Sequence, residues 1–122
     1  MPRKVGDRVG VASHQDKGPQ GTLYIFGYGV YEGDFVPEEA VGWMAEVDRE
    51  VKATNPRLRL DNGKVVYGCE SWWGSEEKVK QIEDAARKAG APVVILDIDE
   101  VRKKFTEAAA KKKAEAPVKD GQ

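Results

Sequence analysis

The run Arg57-Leu58-Arg59-Leu60-Asp61-Asn62-Gly63-Lys64-Val65-Val66-Tyr67 constrains the fold more than any other segment. Two strand-like stretches flank Asn-Gly, the pair that best accepts the positive φ angles of a type I′ hairpin turn. A two-residue turn predicts Leu60 opposite Val65 and Leu58 opposite Tyr67. Alternation then places Leu58, Leu60, Val65, Tyr67 and Cys69 on one apolar face. Arg57, Arg59, Val66, Glu70 and Trp72 fall on the other, with Gly68 opposite Arg57. That second face combines two guanidiniums, a carboxylate and an indole, and is the first candidate binding surface.

The chain around the hairpin divides by composition. All of the 13 glycines except Gly90 and Gly121 precede Ser75, as do every Trp and Tyr, and the remainder is rich in Ala, Glu and Lys. The expectation is one α+β domain over residues 1–114, β-rich over 1–74 and helical over 75–114, with a flexible tail over 115–122. The sheet is expected to be a bent antiparallel sheet or a small SH3-like barrel, backed by C-terminal helices.

Strands are predicted over Arg8–Ser13 and Thr22–Tyr31. A helix is predicted over Pro37–Lys52, with Glu38 and Glu39 favoured by its dipole and a stripe of Ala40, Met44, Val47 and Val51. Asn55-Pro56 stops it. Ser75 reads as the N-cap of a helix lined by Val79, Ile82, Ala86 and Ala89, ended by Gly90-Ala91-Pro92. Val93–Leu96 reads as a short buried strand. Asp99 reads as the cap of a last helix, whose apolar stripe is Val101, Phe105 and Ala108 or Ala109.

Composition excludes several chemistries. One Cys and one His rule out a disulfide framework and an ordinary Cys/His zinc site, and no cofactor is expected. Lys plus Arg (20) nearly cancels Asp plus Glu (21), so no bulk field draws the chain to nucleic acid. Lys111-Lys112-Lys113 reads as a solvated helix end. No apolar run is long enough to span a membrane, and no signal-peptide core follows the N-terminus; a soluble cytoplasmic protein is the expectation.

Catalytic motifs are equally sparse. Val93-Val94-Ile95-Leu96-Asp97-Ile98-Asp99 superficially resembles the first motif of haloacid dehalogenase-type phosphatases, an apolar strand ending in Asp-x-Asp. That family needs further strands and motifs downstream, and only 23 residues follow Asp99. The carboxylates are read instead as a strand end and a helix cap. His14 reads as a solvated loop residue without a base partner, and Cys69 as an inert thiol on the core face. A non-catalytic binding protein is the expected class.

Trp72-Trp73 refines the candidate site. In a strand the two rings point to opposite faces, so at most one belongs fully to the core. Trp72 shares the predicted face of Arg57 and Arg59, and an aromatic face beside Arg holds a nucleobase and its phosphate. The candidate ligand-binding set is Trp72, Arg57, Arg59, Tyr28, Gly27, Gly29 and Glu70. Gly27 and Gly29 are read chiefly as sites of strand curvature that also open space for a flat group. The expected ligand is a small anionic nucleotide-like molecule, bound by a homo-oligomer. The alternatives are a protein-interaction module with an exposed aromatic surface and a small barrel that binds nucleic acid through a local basic face.

A chain of this length, with an N-terminal antiparallel sheet, long loops and two C-terminal helices, resembles the phage anti-defence "sponge" proteins of Thoeris immunity. The likeness is architectural and transfers no individual residue. It implies sequestration of a cyclic ADP-ribose-type signal, without cleavage, in pockets between protomers.

Overall fold

The computed structural model describes residues 3–18 and 20–115. Ten segments follow one another: β1 (Arg8–Gln15), β2 (Leu23–Phe35), α1 (Trp43–Val51), β3 (Asn55–Leu60), β4 (Val65–Tyr67), a 3-10 turn (Gly68–Glu70), β5 (Trp72–Ser75), α2 (Glu76–Lys88), β6 (Val93–Ile95) and α3 (Ile98–Glu115). The strands form one bent sheet in the order β4-β3-β2-β1-β5, and β6 runs parallel to the start of β2. This is the α+β architecture with a bent antiparallel sheet expected from the sequence. The end strands β4 and β5 are joined through the 3-10 turn but not hydrogen-bonded to each other in this order, so the sheet stays open.

The bend has a local cause. Val11 pairs with Gly27 but Ala12 pairs with Ile25, so Phe26 is an extra residue in β2. Gly27 takes φ +134°, a backbone angle that L side chains resist, and Phe26 is buried in the core. β1 covers one side of β2, while β3 and β6 share the other.

Both faces of the sheet are packed. Val9, Val11, Phe26, Tyr31, Leu58, Leu60, Val66 and Ile98 form the main core, with Trp73 and Val101 against it. Helix α2 covers the opposite face, where Ala12, Leu23, Ile25, Ala86 and Ala91 cluster. The two layers approach closely because β1 carries Gly10 there; a Cβ at that position would overlap the Val79 side chain.

The hairpin forms, but its register is shifted by one residue. Gly63 N–H donates to the Leu60 carbonyl and Leu60 N–H to the Lys64 carbonyl, both at 2.8 Å, and Gly63 has φ +89°. The loop is therefore the three residues Asp61-Asn62-Gly63 with the glycine as a bulge, not the two-residue type I′ turn. Arg59 now faces Val65, Leu58 faces Val66 and Arg57 faces Tyr67. A one-residue slip reverses every side chain of a strand. Val66 accordingly joins Leu58 and Leu60 in the core, while Val65 and Tyr67 lie on the arginine face.

Several boundaries also differ. The helix predicted from Pro37 begins only at Trp43, because Gly42 at φ +103° breaks the run. Glu39 therefore sits outside the helix, where it accepts a hydrogen bond from the buried Tyr67 hydroxyl. Of the predicted stripe, Ala40 is buried, but Met44, Val47 and Val51 face outward. Val94 and Ile95 are exposed, since β6 is an edge strand and not a buried one. Ser75 caps α2 as expected, accepting from Lys78 N–H at 3.2 Å. At the start of α3 the capping carboxylate is Asp97, which accepts from Asp99 N–H at 3.0 Å. The predicted tail falls, from residue 116 onward, outside the described residues.

Candidate functional site

The sheet order decides what the hairpin arithmetic could not. Trp72 lies on β5 opposite Ala12 of β1, whereas Arg57 and Arg59 lie on β3. Three interstrand steps separate β5 from β3, about 14 Å at the usual strand spacing. Strand alternation does not carry from Tyr67 to Trp72, because the 3-10 turn intervenes. The predicted Arg57–Arg59–Trp72 set is thus spread across the sheet, with β2 and β1 between the arginines and the indole.

Arg57 and Arg59 converge on Glu32, donating to its two oxygens at 2.9 and 2.7 Å. Burial pushes the Glu32 carboxyl up, but the hydrogen bonds and charges of Arg59 and Arg57 outweigh it and hold the pKa below the ordinary value. The Arg57 guanidinium also lies 3.6 Å from the centre of the Phe35 ring, and Arg59 donates to the Gly63 carbonyl at 2.9 Å. Both guanidiniums are therefore committed within the chain.

Glu70 is likewise committed. Arg102 of α3 donates to its two oxygens at 2.7 and 2.8 Å, and Tyr67 N–H to one of them at 3.1 Å. Tyr28 faces α2 and donates to the buried Glu83 at 2.6 Å, while Arg87 reaches the other Glu83 oxygen at 2.7 Å. Burial and the Glu83 hydrogen bond raise the Tyr28 pKa well above its ordinary value. Its ring borders a cleft shared with Arg8, Asp61, Glu76, Glu77 and Lys80. Arg8 is bound there to both Asp61 and Glu76, so acidic groups outnumber basic ones and an anion is disfavoured. Gly29 serves strand pairing: a Cβ would run into the Arg59 carbonyl.

Trp72 walls a largely apolar cleft. Its indole is 46% exposed, while Trp73 turns inward and stacks on Tyr31 at 5.9 Å between ring centres. The cleft beside Trp72 is about 370 Å³, within the range of small-ligand pockets. Ala12, Leu23 and Ile82 form its apolar walls; Ser13, His14 and Gln15 form a polar rim. His14 is fixed by stacking on Tyr24 at 4.4 Å and by a 2.9 Å contact between Nδ1 and the Ser13 hydroxyl. The loop expected around His14 is in fact the end of β1.

His14, Leu23 and Ile82 were not foreseen as neighbours of Trp72. Their convergence requires knowing that β5 pairs with β1 and that α2 crosses that pair. Alternation along β1 gives no trace of it, because a register shift between Ala12 and His14 interrupts the strand there.

Asp97 and Asp99 do not form an open carboxylate pair. Lys64 bridges them at 2.7 and 3.0 Å, and its hydrogen bond holds the Asp97 carboxyl below its ordinary pKa. Among the described residues no group of three His, Cys, Asp or Glu could hold a metal ion, and no helix is long and apolar enough to cross a membrane. Cys69 lies half-buried in the 3-10 turn, and burial raises its thiol pKa. Compared with known proteins, the chain matches no protein-family model, no curated protein and no solved structure.

Proposed function

We propose that the protein is a non-catalytic binder of a small planar ligand, held in the cleft under Trp72. The observation that carries this reading is the half-exposed indole on a cleft with three apolar walls and one polar rim. An aromatic wall supplies stacking, worth about 1–3 kcal/mol for a nucleobase, without requiring a particular base. Ser13, His14 and Gln15 supply donors and acceptors for one edge of the ring.

The expected anionic specificity needs revision within this reading. Arg57 and Arg59 are about three strands away and engaged by Glu32. The ligand is therefore recognised by its flat heterocycle, and among the described residues neither Lys nor Arg lines the cleft. An adenine-containing signal of the cyclic ADP-ribose type is one member of that class, through its base.

Calorimetric titration with adenosine, adenosine monophosphate and ADP-ribose tests the proposal. Binding should be lost in Trp72→Ala and kept in the Arg57→Ala, Arg59→Ala double variant. Heat that survives Trp72→Ala would contradict it.

The protein-interaction reading is favoured by a different observation. Trp43 is 71% exposed and Phe105 60%, with Met44, Val47 and Val51 exposed beside them. Large apolar groups gathered this way mark contact surfaces.

A further inference from the structure

The N-terminal end of α1 and the middle of α3 border a groove of about 610 Å³, lined by Trp43, Glu46, Arg49, Phe105, Ala108 and Ala109. α1 is inverted relative to an ordinary surface helix. Its buried residue is Ala45, while Trp43, Val47 and Val51, one turn apart, point away from the sheet with Met44 beside them. α3 behaves similarly beyond its first turns. Ile98 is buried and Val101 half-buried, but Phe105 and the following residues to Lys111 are exposed.

The flanking charges are opposite on the two helices. α1 carries Glu46, Asp48 and Glu50 against Arg49, and Arg49 is spent on the Pro37 and Ala40 carbonyls at 2.7 and 2.6 Å. The distal part of α3, residues 103–111, carries Lys103, Lys104 and Lys111 against Glu107. Helical spacing sets Glu46 and Glu50 along one edge of the Trp43–Val47 face, and Lys104 and Lys111 along one edge of the Phe105–Ala108 face.

We infer that this surface binds a second copy of the same chain, with α1 of each protomer laid on α3 of the other. A two-fold interface requires a patch complementary to itself. An acidic apolar helix beside a basic apolar helix meets that requirement, because the rotation brings each onto its opposite. Phe105 and Trp43 would supply the apolar centre, and the glutamates and lysines the rim. This inference does not rest on the Trp72 cleft.

Reciprocity gives a direct test by sedimentation of the full chain. Wild type should show a concentration-dependent monomer–dimer equilibrium, and Phe105→Glu, at an exposed position, should raise the dissociation constant at least tenfold with an unchanged circular dichroism spectrum. The Glu46→Lys, Glu50→Lys variant and the Lys104→Glu, Lys111→Glu variant should each dimerise poorly alone, since each pairs like charges twice. Mixed in equal amounts, they should form a heterodimer at least as tight as wild type. A chain that stays monomeric at all concentrations would overturn the inference. So would self-association insensitive to Phe105→Glu, or charge variants that fail to recover on mixing.

Discussion

The Tyr28 hydroxyl donates to the Glu83 carboxylate at 2.6 Å and thereby ties the central strand to the helix that covers it. Glu83 is only 6% exposed, and Arg87 satisfies its second oxygen. The Tyr28 hydrogen bond, with help from Arg87 and Lys80, outweighs burial and holds the Glu83 pKa below its ordinary 4.5. A carboxylate with a lowered folded-state pKa contributes stability that is complete above 4.5 and lost as pH falls through the folded value. Glu83→Gln should therefore cost about 1–3 kcal/mol at neutral pH. Its deficit relative to wild type should shrink as urea unfolding is repeated at successively lower pH below 4.5.

Tyr28 responds at the other end of the scale. Its folded-state pKa is raised, so its contribution is complete below 10.0 and is lost as pH rises through the folded value. Tyr28→Phe should cost about 1 kcal/mol at neutral pH. The variant should also lack the part of the alkaline destabilisation that Tyr28 causes, which denaturant midpoints measured above pH 10.0 will show.

Gly10 lets α2 rest on the backbone of β1. Gly10→Ala forces a methyl group into Val79 and should destabilise by about 1–3 kcal/mol, the usual cost of overfilling a packed core. Val79→Ala removes the two γ-methyl groups from the overlap but keeps Cβ, the nearest atom, and should return only part of that loss. The Gly10→Ala, Val79→Ala double variant should thus be less destabilised than the two single effects added together, as read by a double-mutant cycle.

Glu70 and Arg102 join the 3-10 turn to α3, with side chains 8% and 14% exposed. Arg102 also donates to the Val65 carbonyl at 2.9 Å. Glu70→Ala leaves this guanidinium largely buried without its partner and should cost about 3 kcal/mol in chemical denaturation. Ligand binding at Trp72 should persist in whatever fraction remains folded.

The fold was legible wherever a signal was local. The composition break at Ser75, the cap at Ser75 and the strong strand around Leu23–Tyr31 all follow from propensity and capping, which act within a few residues. The hairpin was legible in existence but not in register. Asn-Gly suits a two-residue turn and a glycine-bulged three-residue loop alike, and Arg8 pins the observed loop by a bidentate bond to Asp61 from another strand. That one-residue difference moved Val66 into the core and Tyr67 out of the predicted face. The Met44–Val51 stripe shows the opposite limit: periodicity identifies an apolar face but not what covers it. The candidate site was the least legible part. Trp72 could be singled out from its neighbour by alternation, but its partners His14, Leu23 and Ile82 arrive through the β1–β5 pairing and the crossing of α2.

The central claim is that Trp72 is the wall of a ligand cleft and not simply an exposed ring. The chain has three tryptophans, Trp43, Trp72 and Trp73, and their indole N–H resonances can be assigned by Trp→Phe substitution. Titration with adenosine should shift the Trp72 resonance in a saturable way, together with the amides of Ser13, His14 and Gln15, and leave Trp43 unmoved. A titration in which Trp72 stays still, or in which the shifts instead gather around Arg57 and Arg59, would contradict the account.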